Sequence, residues 1–190
     1  MPLTACIQDQ FQSARDTLEM AQEMLSESIL LSAQAITDCL MAEGRVLVCG
    51  EGAAGRTARH LAALLTDQLE HDRPGLAGIY LDGIGMGDGA DPARGARRQL
   101  EAIAHPGDVL VAFSLNGEGR AAQAAVLAAQ ERGLVVVAFS GGDGGPLAEV
   151  LREGDILLCA PGETAARVLE AQLLAVHSLA ACIDYLLLGA

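Results

Sequence analysis

Two kinds of hydrophobic pattern follow each other along this chain. Over residues 1–43, apolar side chains recur at spacings of three, four and seven, as at Leu18, Ala21 and Leu25, and this period predicts a helical segment. Gly44 is expected to end it. Beyond Gly44 the pattern changes to short runs that are apolar without alternation, and each run predicts a buried β-strand. These runs are residues 45–49, 78–81, 108–113, 134–139 and 155–159.

Helices are expected between and after these strands. They cover residues 54–70, 91–104, 118–132 and 163–188. Strands that alternate with helices and are apolar throughout indicate an α/β fold with a parallel sheet covered on both faces. We expect one domain over residues 1–190, in which the helical segment 1–43 precedes an α/β core and C-terminal helix over 44–190.

The first and last helices are longer than one small sheet needs for its cover, and the last is apolar on most faces. A helix that is apolar nearly all round has to be buried on several sides. We therefore expect the chain to be its own partner, as a homodimer or homotetramer formed through these two helices.

Composition and charge narrow the class of partner. The formal net charge of −13 would repel a nucleic-acid backbone, so direct DNA or RNA binding is not expected. No signal-peptide pattern opens the chain, and the longest apolar stretch, residues 169–188, is interrupted by His177 and Asp184. A cytoplasmic protein without a membrane partner is therefore expected. Its five cysteines are odd in number and form no CxxC pair, which favours buried reduced thiols over disulfides or metal ligands.

Glycine-rich turns follow three of the predicted strands, at residues 50–55, 114–119 and 140–145. Such a turn leads into a helix, whose free backbone N–H groups attract anions. The candidate ligand-binding residues lie in and just beyond the first two turns: Gly50, Glu51, Gly52, Ser114, Asn116 and Arg120. Two alternatives stay open, namely that the glycines serve only to turn the chain and that an ordinary helix N-cap lies at Asn116 or nearby.

Taken in order, the motifs of this chain resemble the SIS (sugar isomerase) family, in particular the phosphoheptose isomerases and their DiaA-type relatives. The matching segments are collinear and span nearly the whole chain: Val-Leu-Val-Cys-Gly-x-Gly at 46–52, His60, Asp-Arg-Pro-Gly at 72–75, the runs 106–114 and 137–145, Ala-Arg-Val-x-Glu at 166–170, and Ile183-Asp184. The resemblance implies a three-layer SIS fold with a five-stranded parallel sheet, long terminal helices for oligomerisation, and a homotetramer.

The departures from the isomerase pattern fall on the chemical positions. The family's Glu four residues after His60 is Leu64 here, and its Gln eight residues before His177 is Leu169. In the isomerases this Glu and the C-terminal His move a proton between adjacent carbons, and these side chains also contribute to a zinc site. His60 and His177 are therefore candidate catalytic residues only if the protein is an isomerase. No cofactor is expected, and zinc only in that case.

The phosphate-binding turn also differs from the family pattern. The family's Ser-Thr-Ser-Gly-Asn-Ser reads Ser-Leu-Asn-Gly-Glu-Gly at 114–119, so three hydroxyl groups are lost. Glu51 replaces an Asn of the family, and Glu118 adds a second carboxylate. These changes weaken the predicted affinity for a sugar phosphate, because hydrogen-bond donors give way to negative charge. Residues 83–92 are also shorter than the family segment that helps enclose the sugar.

Three functions follow from this comparison. The leading hypothesis is a catalytically eroded SIS protein, a DiaA-type adaptor that binds the replication initiator DnaA. Leu187 and Leu188 would be its partner-binding residues, although ordinary packing at a helix end explains them equally well. The alternative is a phosphoheptose isomerase acting on sedoheptulose 7-phosphate. A second alternative is a regulator that binds a phosphosugar.

Overall fold

The computed structural model describes residues 2–83 and 91–189. Its helices are α1 (Leu3–Met41), α2 (Ala54–Thr66), α3 (Pro92–Ile103), α4 (Arg120–Glu131), α5 (Gly145–Glu149) and α6 (Ala165–Leu188). Its strands are β1 (Val46–Gly50), β2 (Gly78–Leu81), β3 (Val109–Phe113), β4 (Val135–Gly141) and β5 (Ile156–Ala160). The strands form a parallel sheet in the order β2-β1-β3-β4-β5, which confirms the predicted α/β fold.

The ends of each predicted strand differ by at most two residues from the ends of an observed strand, and β2 matches at both ends. The short helix α5 was not predicted, because its five residues are too few to show a helical period. The glycine-dense stretch 84–89 lies outside the described residues.

Gly44 was expected to end the first helix through its conformational freedom, and this prediction is wrong. The left-handed residue after α1 is Glu43, with φ of 61°. Gly44 is needed for close packing instead, since a Cβ there would lie 2.7 Å from Sγ of Cys39 and 2.9 Å from its carbonyl oxygen.

Helix α2 ends at Thr66, four residues before the predicted end, because Arg73 binds its last turn. The buried guanidinium of Arg73 donates hydrogen bonds to the carbonyl oxygens of Leu64 at 2.8 Å and Leu65 at 3.0 Å. Its Nε also lies 2.5 Å from Oδ1 of Asp184 on α6. This buried ion pair joins the end of α2 to α6 and so sets the relative position of the two helices.

Two apolar cores lie on opposite faces of the sheet. Helices α1, α2 and α6 cover one face, where Phe113 and Phe139 stack with ring centroids 4.3 Å apart. Helices α3 and α4 cover the other, where Leu100 and Val126 are fully buried. The many alanines of α4 allow this helix to approach the sheet closely. With helices on both of its faces, the sheet is the middle layer of three.

Within the described part of the chain, α6 alone is long and apolar enough to span a membrane by length and composition. Its residues Val176, Leu179 and Ile183 are fully buried in the core beneath α1 and α2. The hydrophobicity of α6 is therefore explained by its place inside the fold.

The cysteines were predicted to be buried reduced thiols, but only Cys39 and Cys49 are buried, whereas Cys159 and Cys182 are partly buried. All five are free, and burial raises the pKa of Cys39 to about 11 and that of Cys49 to about 12. Both thiols therefore stay protonated and unreactive at neutral pH. Cys6, which was expected to be buried, is exposed because it lies in the part of α1 that extends beyond the core.

Candidate functional site

The two candidate catalytic histidines meet between helices α2 and α6. Nε2 of His60 lies 2.9 Å from Nε2 of His177, and the rings are nearly perpendicular at an interplanar angle of 75°. One ring must donate a proton to the other for this hydrogen bond to form. We call these two residues the histidine pair.

Electrostatics favours the neutral form of His60. Its pKa is lowered first by partial burial and then by the charge of His177. The lone pair of a neutral imidazole can accept a proton, as a general base must, once the hydrogen bond from the other ring no longer occupies it. The partner ring at hydrogen-bond distance can carry the shared proton.

The surroundings of the histidine pair do not fit the zinc site that the resemblance implies. Leu64 lies one helical turn after His60 and packs into the core, and Leu169 is partly buried two turns before His177. Among residues 2–83 and 91–189, no group of three or more His, Cys, Asp or Glu side chains is placed to hold a metal ion. Two imidazoles alone make a poor zinc site.

The first glycine turn, residues 50–55, lies at the carboxyl end of β1. A Cβ on Gly50 would lie 3.0 Å from the Cβ atoms of Ala58 and Phe113, so glycine permits the close approach of α2 to the sheet. Gly52 has a left-handed φ of 54°, which the turn requires. Both glycines thus have a structural reason to be there.

A cavity of about 810 Å³ opens beside this turn. Its charged lining includes Glu51, Arg56, Arg59 and Asp82, and the Arg59 guanidinium lies 4.5 Å from the ring centroid of Tyr80. The histidine pair does not line the cavity, because it lies on the α2–α6 side of the sheet whereas the cavity extends toward α3 and α4.

In the second glycine turn, residues 114–119, most candidate groups are engaged within the protein. The buried Ser114 accepts a hydrogen bond from the Gly117 N–H at 3.0 Å, and Oδ1 of the exposed Asn116 accepts one from the Glu118 N–H at 3.2 Å. The N-cap of α4 is Gly119, three residues after Asn116, which agrees with the alternative of an ordinary helix N-cap at or near Asn116.

The candidate Arg120 points away from this turn. Its exposed guanidinium lies 3.6 Å from Oδ2 of Asp91 in front of α3. An exposed pair of this kind is weak, so Arg120 remains available to move toward an anionic ligand.

The Glu51 side chain reaches from the first glycine turn to the second. A Cβ built on Gly119 would overlap Oε1 of Glu51. This oxygen is buried and forms no hydrogen bond among the described residues. The sequence did not reveal this contact, because residues 51 and 119 belong to different turns.

Gln172 is a further residue of this region that had no assigned role. It is fully buried, and its Nε2 donates hydrogen bonds to the carbonyl oxygens of Ser114 at 2.7 Å and Ser140 at 3.4 Å. It therefore ties α6, five residues before His177, to the carboxyl ends of β3 and β4. The available signal was an uncharged polar residue that has an apolar neighbour on either side in α6.

Comparison with known proteins decides the family. The SIS domain model matches residues 10–141. The phosphoheptose isomerase of Methylibium petroleiphilum is 37% identical over 188 residues, which cover 96% of this chain and 94% of that protein. This chain belongs to the SIS domain family. A second phosphoheptose isomerase, from Aromatoleum aromaticum, is 38% identical over 195 residues, which cover 100% of this chain and 98% of that protein.

The solved structures agree with the family assignment. Phosphoheptose isomerase GmhA from Neisseria gonorrhoeae superposes on this SIS protein with a TM-score of 0.88 at 31% identity, over 96% of this chain and 98% of that one. The phosphoheptose isomerase from Francisella tularensis gives 0.88 at 28% identity, over 97% and 99%.

These relatives show that the adaptor hypothesis is wrong. Proteins that match the full chain at 37% and 38% identity are phosphoheptose isomerases, and no feature of the match favours a DnaA-binding protein. The hypothesis relied on the loss of a glutamate at position 64, but the loss of one group identifies no replacement function. Leu187 packs against the core, as the packing alternative expected, and Leu188 is exposed.

Proposed function

We propose that this SIS protein is a phosphoheptose isomerase, which interconverts the aldose and ketose forms of a seven-carbon sugar phosphate such as sedoheptulose 7-phosphate. The observation that carries the proposal is the histidine pair. Two imidazoles that are 117 residues apart in sequence are brought to 2.9 Å in a chain of this family. We expect the activity in the cytoplasm, where charged sugar phosphates are retained.

The histidine pair has the groups that this isomerisation needs. The reaction removes a proton from the carbon next to the carbonyl group, protonates the carbonyl oxygen to give an enediol, and returns a proton to the neighbouring carbon. In our proposal, the substrate enters between the two rings and replaces their mutual hydrogen bond, so that neutral His60 accepts the carbon proton while protonated His177 donates one to the carbonyl oxygen. The electron pair of the broken C–H bond forms the enediol double bond. To give the product, His60 returns its proton to the former carbonyl carbon, and His177 takes the proton of the hydroxyl group on the neighbouring carbon, which becomes the new carbonyl. General acid–base catalysis of this kind contributes about 10²–10⁴-fold to the rate.

The proposal assigns proton transfer to the imidazoles without a metal ion. Leu64 and Leu169 provide neither a proton-accepting group nor a ligand atom. The lowered pKa of His60 supplies the base that the missing glutamate would otherwise provide.

We also propose that copies of the chain associate through α1 and α6. Leu3, Ile7 and Phe11 form an apolar stripe on α1 and are 84%, 57% and 70% exposed. On α6, Leu174 and Tyr185 are exposed as well. Burial of such large apolar side chains against a second copy would remove the cost of exposing them to water.

The test is turnover of sedoheptulose 7-phosphate by the purified protein and by His60→Ala and His177→Ala. We expect measurable turnover by the unmodified protein and a loss of at least 100-fold in each variant. His71→Ala is the matched control, since His71 is exposed outside both helices, and its rate should be unchanged. No turnover by the unmodified protein, or full activity of His177→Ala, would contradict the proposal.

A further inference from the structure

The carboxylate of Glu51 lies at the start of α4, although Glu51 itself follows β1. Strands β1 and β3 are neighbours, and Gly50 pairs in register with Phe113. The residues that follow each strand therefore emerge side by side, and Glu51 extends across the second glycine turn toward Gly119.

The space between the two turns holds one side chain. A Cβ on Gly119 would overlap Oε1 of Glu51 and lie 2.5 Å from its Cδ. The Glu51 side chain can therefore lie here only because residue 119 is a glycine. The two positions are coupled, because a side chain at 119 requires that the one at 51 be shorter or move.

The position that Glu51 occupies is one that suits an anion. Gly119 is the N-cap of α4 and offers no side-chain cap, so the first N–H groups of the helix have no side-chain partner from it. Helix N-termini of this kind attract negative charge. Oε1 of Glu51 nevertheless forms no hydrogen bond among the described residues, and a buried oxygen without a partner is unfavourable.

We propose that Glu51 occupies the place of the substrate's phosphate group and competes with it, so that the Glu51–Gly119 pair sets the affinity of the site for phosphate. This rests on the proposed function in taking the ligand to be a sugar phosphate. A phosphate that enters the turn displaces the Glu51 carboxylate toward the adjoining cavity, where Arg56 and Arg59 lie. The energetic cost of this displacement weakens the binding of phosphate.

The first experiment measures binding of inorganic phosphate and of sedoheptulose 7-phosphate by isothermal titration calorimetry. Glu51→Asn removes the charge and shortens the side chain, and we expect at least a tenfold lower Kd for both ligands. Glu118→Gln is the matched control, because it removes one exposed carboxylate from the same turn, and its Kd should change less than threefold. Unchanged affinity in Glu51→Asn, or an equal gain in Glu118→Gln, would overturn the inference.

A second experiment tests the coupling of the two positions. Gly119→Ser alone should lower the melting temperature, because the new side chain overlaps Glu51. Combined with Glu51→Asn it should restore the melting temperature, so the effects of the two substitutions on stability should be clearly non-additive. Additive effects would contradict the shared space.

The phosphate measurements separate this inference from the proposed function. If no variant turns over sedoheptulose 7-phosphate but the phosphate affinities shift as expected, the isomerase proposal fails and the role of Glu51 stands. If turnover is found and Glu51→Asn binds phosphate no more tightly, the role of Glu51 fails alone.

Discussion

Nε2 of His60 and Nε2 of His177 lie 2.9 Å apart, between a helix that follows the first strand and the helix that ends the fold. At this distance two positive charges would repel each other strongly, so a proton on one ring disfavours a second proton on the other. The protonation state of the histidine pair should therefore control activity, and pH is the direct way to test it.

The pH dependence of kcat/KM should reflect the lowered pKa of His60. The base must be neutral, so kcat/KM should be constant near pH 7 and fall as the pH drops through a value below 6.5. The substitution His177→Asn removes the contribution of the His177 charge to the pKa of His60. The fall in kcat/KM on the acid side should therefore begin at a higher pH. A pH–rate profile measures both, and an acid limb above 6.5 in the unmodified protein would contradict the assignment.

The same shift predicts the sign of a stability change. Because the folded-state pKa of His60 is lowered, the unfolded chain binds more protons as the pH falls below about 6.5, and the folded state loses stability there. Chemical denaturation between pH 7 and 5 should show a smaller loss in His60→Gln than in the unmodified protein. Identical losses would show that other groups dominate.

Zinc should not be required for activity. The two imidazoles of the histidine pair have leucines where further ligands would be needed, so added zinc should bind weakly and a chelator should leave kcat unchanged. Metal analysis of the purified protein and turnover after dialysis against EDTA test this. One tightly held zinc ion per chain, absent from His60→Ala, would refute it.

The Arg73–Asp184 ion pair should be important for stability. Asp184→Asn would leave the buried Arg73 guanidinium without its counter-charge, and breaking a buried pair in this way costs about 3–5 kcal/mol of unfolding free energy. Urea denaturation measures it. Arg97→Gln is the control, because its ion pairs with Glu101 and Glu131 are on the surface, where solvent screens them, and its loss of unfolding free energy should be much smaller. Equal losses of unfolding free energy in the two variants would contradict this prediction.

Association through α1 should depend on its exposed apolar stripe. Phe11→Glu places a charge in the stripe, and we expect light scattering after size exclusion to show a smaller assembly than the unmodified dimer or tetramer. Gln8→Glu, on the same exposed part of α1 but outside the stripe, is the control. A monomeric unmodified protein would contradict the proposal.

The family pattern in the sequence was a better guide to the fold than to the function. The collinear motifs predicted the parallel sheet correctly, because strands and helices are set by local patterns of apolar residues. The adaptor hypothesis failed because it gave most weight to Leu64. A single position is weak support when the rest of the chain matches isomerases along its whole length.

The sequence by itself determined the five strands, the long terminal helices and the three glycine turns, since each follows from residues that are close together in the chain. Only the tertiary structure placed Nε2 of His60 beside that of His177, Arg73 beside Asp184, and the Glu51 carboxylate against Gly119. These contacts join segments that are far apart in the chain, and their geometry depends on how neighbouring strands and helices pack. Local periodicity carries no information about that packing.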